Sequence, residues 1–445
     1  MKIVLYAVLC FSFLGAKELF LPKHIYTYMH EKNPFYYQAI GEQFVAKEKE
    51  QFFEGSLDTQ LRANYDNKKY PITEGRYENV ELWKPLENGI EFAVGYRKAE
   101  GTQEYNNIVT GKDGEILSSI KIPLFSVLND ISQNKVDIQN AKLTTEQLEF
   151  KGKFNLLKLH FNVSKIYYQL LLQKQIEQSY KALLQKAKKT KVFISKKVKE
   201  GELAEIASIE AEGLVIHREQ QYLEAQNDLK LVKNIFLQYL GISEGFFDKN
   251  YSIPLLGMKN KSLPSLKNAM IMAIDKRPDL KMIDTEIEKL LMKKEYNDFT
   301  KYPKLDMQFS GAYDPINKEG YKVSINFNFP LEQRRYGGMH EVLQKENLLL
   351  QSEKVKYIRE LETSLMNLYQ KIQTKKRTIG LSKKELSLAK RLEEVEEKKI
   401  HEGVSTLIFL NQREMGTLKV EQKVLRNYYD LKVYLLEVDY FLGRL

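Results

Sequence analysis

A ten-residue segment that occurs twice restricts what this chain can fold into more than any other feature. Leu57-Asp58-Thr59-Gln60-Leu61-Arg62-Ala63-Asn64-Tyr65-Asp66 returns as Leu305-Asp306-Met307-Gln308-Phe309-Ser310-Gly311-Ala312-Tyr313-Asp314, with Leu, Asp, Gln, Tyr and Asp in the same places. Each copy follows a helical stretch opened by a proline, at Asn33-Pro34 and at Arg277-Pro278-Asp279-Leu280, where proline suits the first helical turn. Each precedes a strand ending in Pro-Leu, Pro123-Leu124 and Pro330-Leu331. Farther on, Lys197-Val198-Lys199-Glu200-Gly201 recurs as Lys399-Ile400-His401-Glu402-Gly403. Landmarks repeated in one order make duplication the economical explanation, so each half is one structural unit built twice.

Within each half the strands alternate. Leu57, Thr59, Leu61, Ala63 and Tyr65 oppose Asp58, Gln60, Arg62 and Asn64, while Tyr321, Val323, Ile325 and Phe327 oppose Lys322, Ser324 and Asn326. A soluble sandwich shows the same alternation; the strand length and the terminal tyrosines favour a membrane barrel. Between the strands of the first half, Ile90, Phe92, Val94 and Tyr96 also alternate with polar or small residues. We read residues 76–98 as an extended surface hairpin, with added barrel strands as the alternative.

After each Pro-Leu comes a long proline-free stretch, residues 127–199 and 338–401. As helices these reach on the order of 100 Å. Their apolar residues recur at steps of three and four: Leu159, Val163, Ile166, Leu170, Tyr180, Leu184 and Ala187, then Leu361, Leu365, Leu368, Ile372, Ile379, Leu386 and Ala389. Gly201 and Gly403 end them, and helices over about 203–240 and 405–442 run back. Two antiparallel hairpins result, with apolar stripes in place of a globular core, so burial requires hairpins laid side by side and oligomerisation follows.

The N-terminus reads as an export signal, with Lys2, an apolar run from Ile3 to Leu14, and cleavage expected after Ala16. The run is shorter than a spanning helix, and no later segment supplies one. Cys10, the single cysteine, lies inside the signal without a lipidation context, so no disulfide or lipid anchor is expected. A net charge of +10 spread among alternating Lys and Glu forms no basic block, which argues against nucleic acid. The histidines His24, His30, His160, His217, His340 and His401 have no ligand spacing, and Gly337-Gly338 is followed by no phosphate-loop residues. Neither metal, cofactor nor catalysis is expected. The acidic run Glu393-Glu394-Val395-Glu396-Glu397 reads as a solvated helix face.

Taken together, Arg277-Pro278-Asp279-Leu280, Tyr302-Pro303-Lys304-Leu305, the two Pro-Leu pairs and Lys399-Ile400-His401-Glu402-Gly403 resemble the TolC family of outer-membrane efflux proteins over nearly the whole chain. The resemblance implies a mainly α fold with membrane β: a homotrimer with four strands per subunit in a twelve-stranded barrel, continued by a periplasmic tunnel of helices. The expected layout is a signal at 1–16, a first repeat at 17–245 with strands 56–66 and 115–123, a linker at 246–264, and a second repeat at 265–445 with strands 305–314 and 321–330. Implied partners are outer-membrane lipid, a periplasmic adaptor (membrane fusion) protein and an inner-membrane transporter of the RND, ABC or MFS type. Leu57, Leu61, Tyr65, Leu305, Phe309 and Tyr313 are expected to face lipid. Docking and gating fall on the tips, Glu200, Gly201, Glu202, Leu203 and Glu205, and Glu402, Gly403, Val404, Ser405 and Thr406. Two departures stand out: Glu332-Gln333-Arg334-Arg335-Tyr336 separates Pro330-Leu331 from Gly337-Gly338, and the second tip lacks an acidic cluster after Gly403. A periplasmic adaptor or scaffold is the competing reading, and the duplication disfavours it.

Overall fold

A computed structural model describes residues 17–72, 74–101, 110–257, 262–316 and 318–445; the expected signal at 1–16 lies outside them, as does part of the 246–264 linker. The first half of the chain forms β1 (Glu18–Leu19), α1 (Lys23–Tyr28), α2 (Pro34–Glu54), β2 (Gln60–Lys69), β3 (Glu74–Pro85), β4 (Glu91–Gly101), β5 (Glu115–Pro123), α3 (Leu124–Asn129), α4 (Gln133–Lys199) and α5 (Glu205–Leu240). The link contains α6 (Glu244–Asn250) and β6 (Tyr251–Ser252). The second half forms α7 (Leu266–Lys276), α8 (Pro278–Phe299), β7 (Lys304–Asp314), β8 (Lys318–Asn328), α9 (Arg334–His401) and α10 (Leu407–Phe441). Helix α4 starts at Gln133 because Asp130 takes a left-handed conformation, φ 52°, and separates it from α3.

One compact unit comprises Ile40–Phe154 and Pro278–Arg359 and holds a six-stranded sheet of order β2-β3-β4-β5-β7-β8. Every neighbouring pair is antiparallel. Three expectations are corrected here. Residues 76–98 are not a surface hairpin but β3 and β4, inserted between β2 and β5 with continuous register from Gln60↔Trp83 to Lys69↔Glu74 and from Gly75↔Gly101 to Pro85↔Glu91. The sheet therefore has six strands, not the four that the family resemblance implies. Leu57 is no strand residue: Asp58 N–H donates to Gly55 O at 3.1 Å, closing a 3₁₀ turn over Gly55–Leu57, so β2 begins at Gln60. Its counterpart Leu305 does lie in β7.

The other unit comprises residues up to Ala39, Asn155–Arg277 and Glu360–Leu445. Here the seam residues Val163, Leu170, Leu361, Leu365, Leu368 and Ile372 are buried in one apolar core with Phe20, Phe236 and Val438. The parallel pair β1·β6 brings Phe20 among the rings of Phe236, Phe247 and Tyr251, and Tyr167 Oη donates to Phe20 O at 2.8 Å. Asn33 caps α2 by accepting from Phe35 N–H at 3.0 Å, while its amide donates to Tyr239 O at 2.8 Å. Arg277 is buried with its guanidinium 5.3 Å from the Tyr440 ring and 5.6 Å from that of Phe441, so two π-faces help to offset the desolvation of the cation.

Candidate functional site

Strand register decides which side chains share a face, because directly paired residues point the same way. Across the sheet, Leu61, Leu82, Val94, Ser118, Gly311 and Tyr321 form one row. Ala63, Val80, Tyr96, Ile116 and Tyr313 form the next, and Phe92, Ile120, Phe309 and Val323 another. Leu305 pairs with Phe327 on the same face, and Tyr65 lies two residues beyond Ala63. The row from Leu61 to Tyr321 carries no charge on any of the six strands; Lys84 and Glu319 stand at the β3 and β8 ends of the two flanking rows, and Glu78 and Lys98 follow Tyr65 on the same face. The apolar part is open: Leu61 is 71% exposed and Tyr321 90%, and Tyr65, Val94, Tyr313 and Phe327 are each more than half exposed. Water-exposed apolar patches of such extent mark a surface that meets something other than water.

The opposite face is polar. Arg62 stacks its guanidinium 3.6 Å over Trp83, whose indole N–H donates to Glu91 Oε2 at 3.2 Å. Glu91 pairs with Lys121 at 3.0 Å, and Lys121 lies 3.9 Å from Asp306. The row crosses β2, β3, β4, β5 and β7, bordering a cavity of about 1230 Å³ that Arg334 and Arg335 also line. Gln60 and Gln308 lie on this polar side, as the alternation predicts. The charged row has no signature in the sequence, since its members are brought together by pairings distant in sequence.

The helix turns are built alike. Gly201 and Gly403 have φ of 76° and 74°, which an L side chain adopts only with strain. Gly201 N–H donates to Val198 O and Glu202 N–H to Lys197 O, at 3.0 and 2.9 Å; Gly403 N–H donates to Ile400 O and Val404 N–H to Lys399 O, at 3.1 and 2.9 Å. Both are Schellman caps, closing orphan carbonyls identically in the two halves. Leu407 packs with Ile194 and Ala211, and Phe193 meets the His401 ring at 4.4 Å, which brings the two turns together. Glu200, Gly201, Glu202, Leu203, Glu205, Glu402, Gly403, Val404 and Thr406 are exposed; Ser405 is half-buried and donates to Glu396. Ile206, Ile209, Ile408 and Phe409 extend the exposed apolar surface beyond the residues singled out from sequence.

Two further features belong to these hairpins. Ile209, Ile216 and Leu223 on α5, and Leu381, Leu388 and Val395 on α9, are heptad-spaced and each more than half exposed, so among the described residues a seam of coiled-coil character is left uncovered. Behind the turns lies a buried polar group. Arg218 and Glu414 are 1% and 4% exposed in their side chains. Arg218 donates to Asn411 and, at 2.9 Å, to Gln221. Burial pushes the Glu414 carboxyl up to about 7, with Arg218 and Lys186 opposing and Glu393 and Glu397 reinforcing the shift. Glu393, paired to Lys186, and Glu396 are buried too, so the acidic run is not the wholly solvated face expected: two of its carboxylates turn inward to partners.

Among the described residues no helix is long and apolar enough to cross a membrane. No family model matches the sequence. None of the curated proteins matches it either. Solved structures do. The outer-membrane channel OprN aligns with a TM-score of 0.71 at 11% identity, over 95% of this chain and 89% of its own. CusC, described for its folding and transmembrane channel formation, aligns at 0.70 and 12% identity over 97% and 95%. The fold is that of the outer-membrane channels. The CmeC outer membrane channel of Campylobacter jejuni shares it at a TM-score of 0.68 and 13% identity, over 95% of this chain and 85% of that one. Within this channel fold, identities so low speak to architecture alone, and residue roles rest on the geometry above.

Proposed function

We propose that the chain is a subunit of a trimeric outer-membrane channel that passively conducts cargo delivered through a periplasmic adaptor by an inner-membrane transporter. The observation that carries the reading is the uncharged row from Leu61 to Tyr321 that crosses all six strands between largely apolar rows, with a charged row on the reverse of the sheet, the polarity a membrane barrel needs for lipid outside and water inside. Open sheet edges and unpaired apolar stripes on α5 and α9 support assembly into a closed ring of copies. In the proposed assembly Leu61, Tyr65, Leu305, Phe309 and Tyr313 meet lipid, and the turns at Gly201 and Gly403 form the periplasmic entrance. The energy for transport comes, in this reading, from the inner-membrane partner. Membrane fractionation followed by native mass measurement in detergent tests the reading: the expected result is a trimer in the outer-membrane fraction. A water-soluble periplasmic monomer would overturn it in favour of a scaffold or adaptor.

A further inference from the structure

The sheet ends on β2 at one side and β8 at the other, and among the described residues no strand extends either edge. Both edge strands are long, 10 and 11 residues, and contain no proline. Neither is blunted by a bulge, since pairing to β3 and to β7 runs without a break. Their faces carry Leu61 and Tyr65 on β2 and Tyr321, Val323, Ile325 and Phe327 on β8, all exposed. An apolar strand edge of this kind in hydrocarbon leaves backbone N–H and C=O groups with no water to satisfy them, so it must be paired. Direction decides what can pair with it. Five successive antiparallel steps leave β2 and β8 pointing opposite ways, so β8 of one copy accepts β2 of the next as another antiparallel neighbour. The occupant that fits both edges is therefore a second copy of this chain.

Resting on the trimer reading, we propose that β2 and β8 are the subunit interface of an eighteen-stranded barrel, with β3 and β4 forming part of its wall. Three facts bear on the placement of β3 and β4. They lie between β2 and β5, so they cannot leave the wall without breaking two sheet pairings. Of their outward residues, Val80, Leu82, Phe92, Val94 and Tyr96 continue the apolar rows of β2 and β5 at the same heights, with Glu78 and Lys98 beyond them at one end and Lys84 at the other. Their reverse side supplies Trp83 and Glu91 to the charged row. An insertion of two strands also keeps the parity of the sheet, so closure remains antiparallel. With strands about 4.8 Å apart and tilted about 40°, eighteen strands give a backbone radius of about 18 Å against about 12 Å for twelve. The exit is then half again as wide as four strands per subunit would make it, suiting bulkier cargo or cargo that keeps its hydration.

The test expresses the full-length chain with Cys10→Ser and purifies trimers from outer membranes. Single cysteines are placed at Ala63 and, in turn, at Val323, Ile325 or Phe327, because the register across copies is set by barrel shear. One of these combinations should form disulfides that join copies into covalent trimers under mild oxidation. In a second arm, spin labels are placed singly at positions 79–83 and at Val94. Val80, Leu82 and Val94 should be accessible to oxygen from the lipid phase, while Asn79 and Glu81 should be accessible to a water-soluble nickel reagent. Trimers without any β2–β8 crosslink, or labels accessible to nickel at every position, would overturn the eighteen-stranded barrel alone. Recovery of monomers would instead remove the trimer reading, and the barrel with it.

Discussion

Arg218 and Glu414 face each other inside the helical unit at 3.9 Å, too far for a direct hydrogen bond and too buried for water screening. Burial raises the Glu414 carboxyl to about 7, above its usual 4.5. Between those values the folded chain keeps a proton that the unfolded chain has released, so this group's contribution is full below pH 4.5 and is lost as pH rises through 7. Glu414→Gln fixes the neutral form while Arg218 keeps Asn411 and Gln221. The variant should match the native protein at about pH 4 and exceed it at about pH 8 by on the order of 2 kcal/mol. Thermal unfolding in detergent at the two pH values checks this; parallel pH profiles would show that Glu414 is already ionised.

Charge on the apolar face of the sheet should be costly where charge on the reverse is not. Leu61→Arg or Phe309→Arg places a guanidinium in hydrocarbon, at about 2 to 4 kcal/mol near the midplane, and should lower the yield of assembled trimer. Gln60→Arg and Gln308→Arg, one residue away on the polar side, should assemble normally. Heat-stable trimer on semi-native gels is the readout, and the reverse pattern would exchange the two faces.

Lys121 is the cation held between Glu91 and Asp306. In the proposed channel it neutralises carboxylates on the lumen wall, so Lys121→Ala should shift selectivity toward cations. Reversal potentials in planar bilayers under a salt gradient measure the shift. An unchanged potential would place the row off the conducting path.

Much of this architecture is legible in the sequence because duplication and periodicity are local signals. The seam at Val163, Leu170, Leu365 and Ile372 follows from steps of three and four, and the caps follow from the repeated Glu-Gly at Glu200-Gly201 and Glu402-Gly403. What the sequence leaves open is pairing. Alternation gives Val80 and Val94 a face but not a neighbour, so residues 76–98 read from sequence as a surface hairpin, with wall strands as the alternative, and only register joins β3 and β4 to β2 and β5. Leu57 fails for a related reason: it repeats Leu305 in sequence, yet a 3₁₀ turn removes it from the strand. The burial of Arg218, Glu393 and Glu414 is invisible beforehand, since it depends on which faces of separate hairpins meet.

The turns at Gly201 and Gly403 should serve as the docking edge as well as helix caps. Their capping role is complete in the backbone hydrogen bonds, with Lys196, Lys197 and Lys199, and Lys398 and Lys399, complementing the helix C-termini. Capping alone gives no reason for apolar side chains to stand in water beside them. Leu203 is 37% exposed, Val404 70%, and Ile206, Ile209, Ile408 and Phe409 add to the same surface. A small interface whose anchors are aliphatic and aromatic is the expected binding surface for a partner's helical tip. Leu203→Asp with Val404→Asp should abolish export while trimer and membrane insertion persist, because neither side chain belongs to the buried core. Single cysteines at the same positions should crosslink to the adaptor in cells. Normal export by the double variant, together with no crosslink from either turn, would reduce the turns to caps and move the docking surface elsewhere.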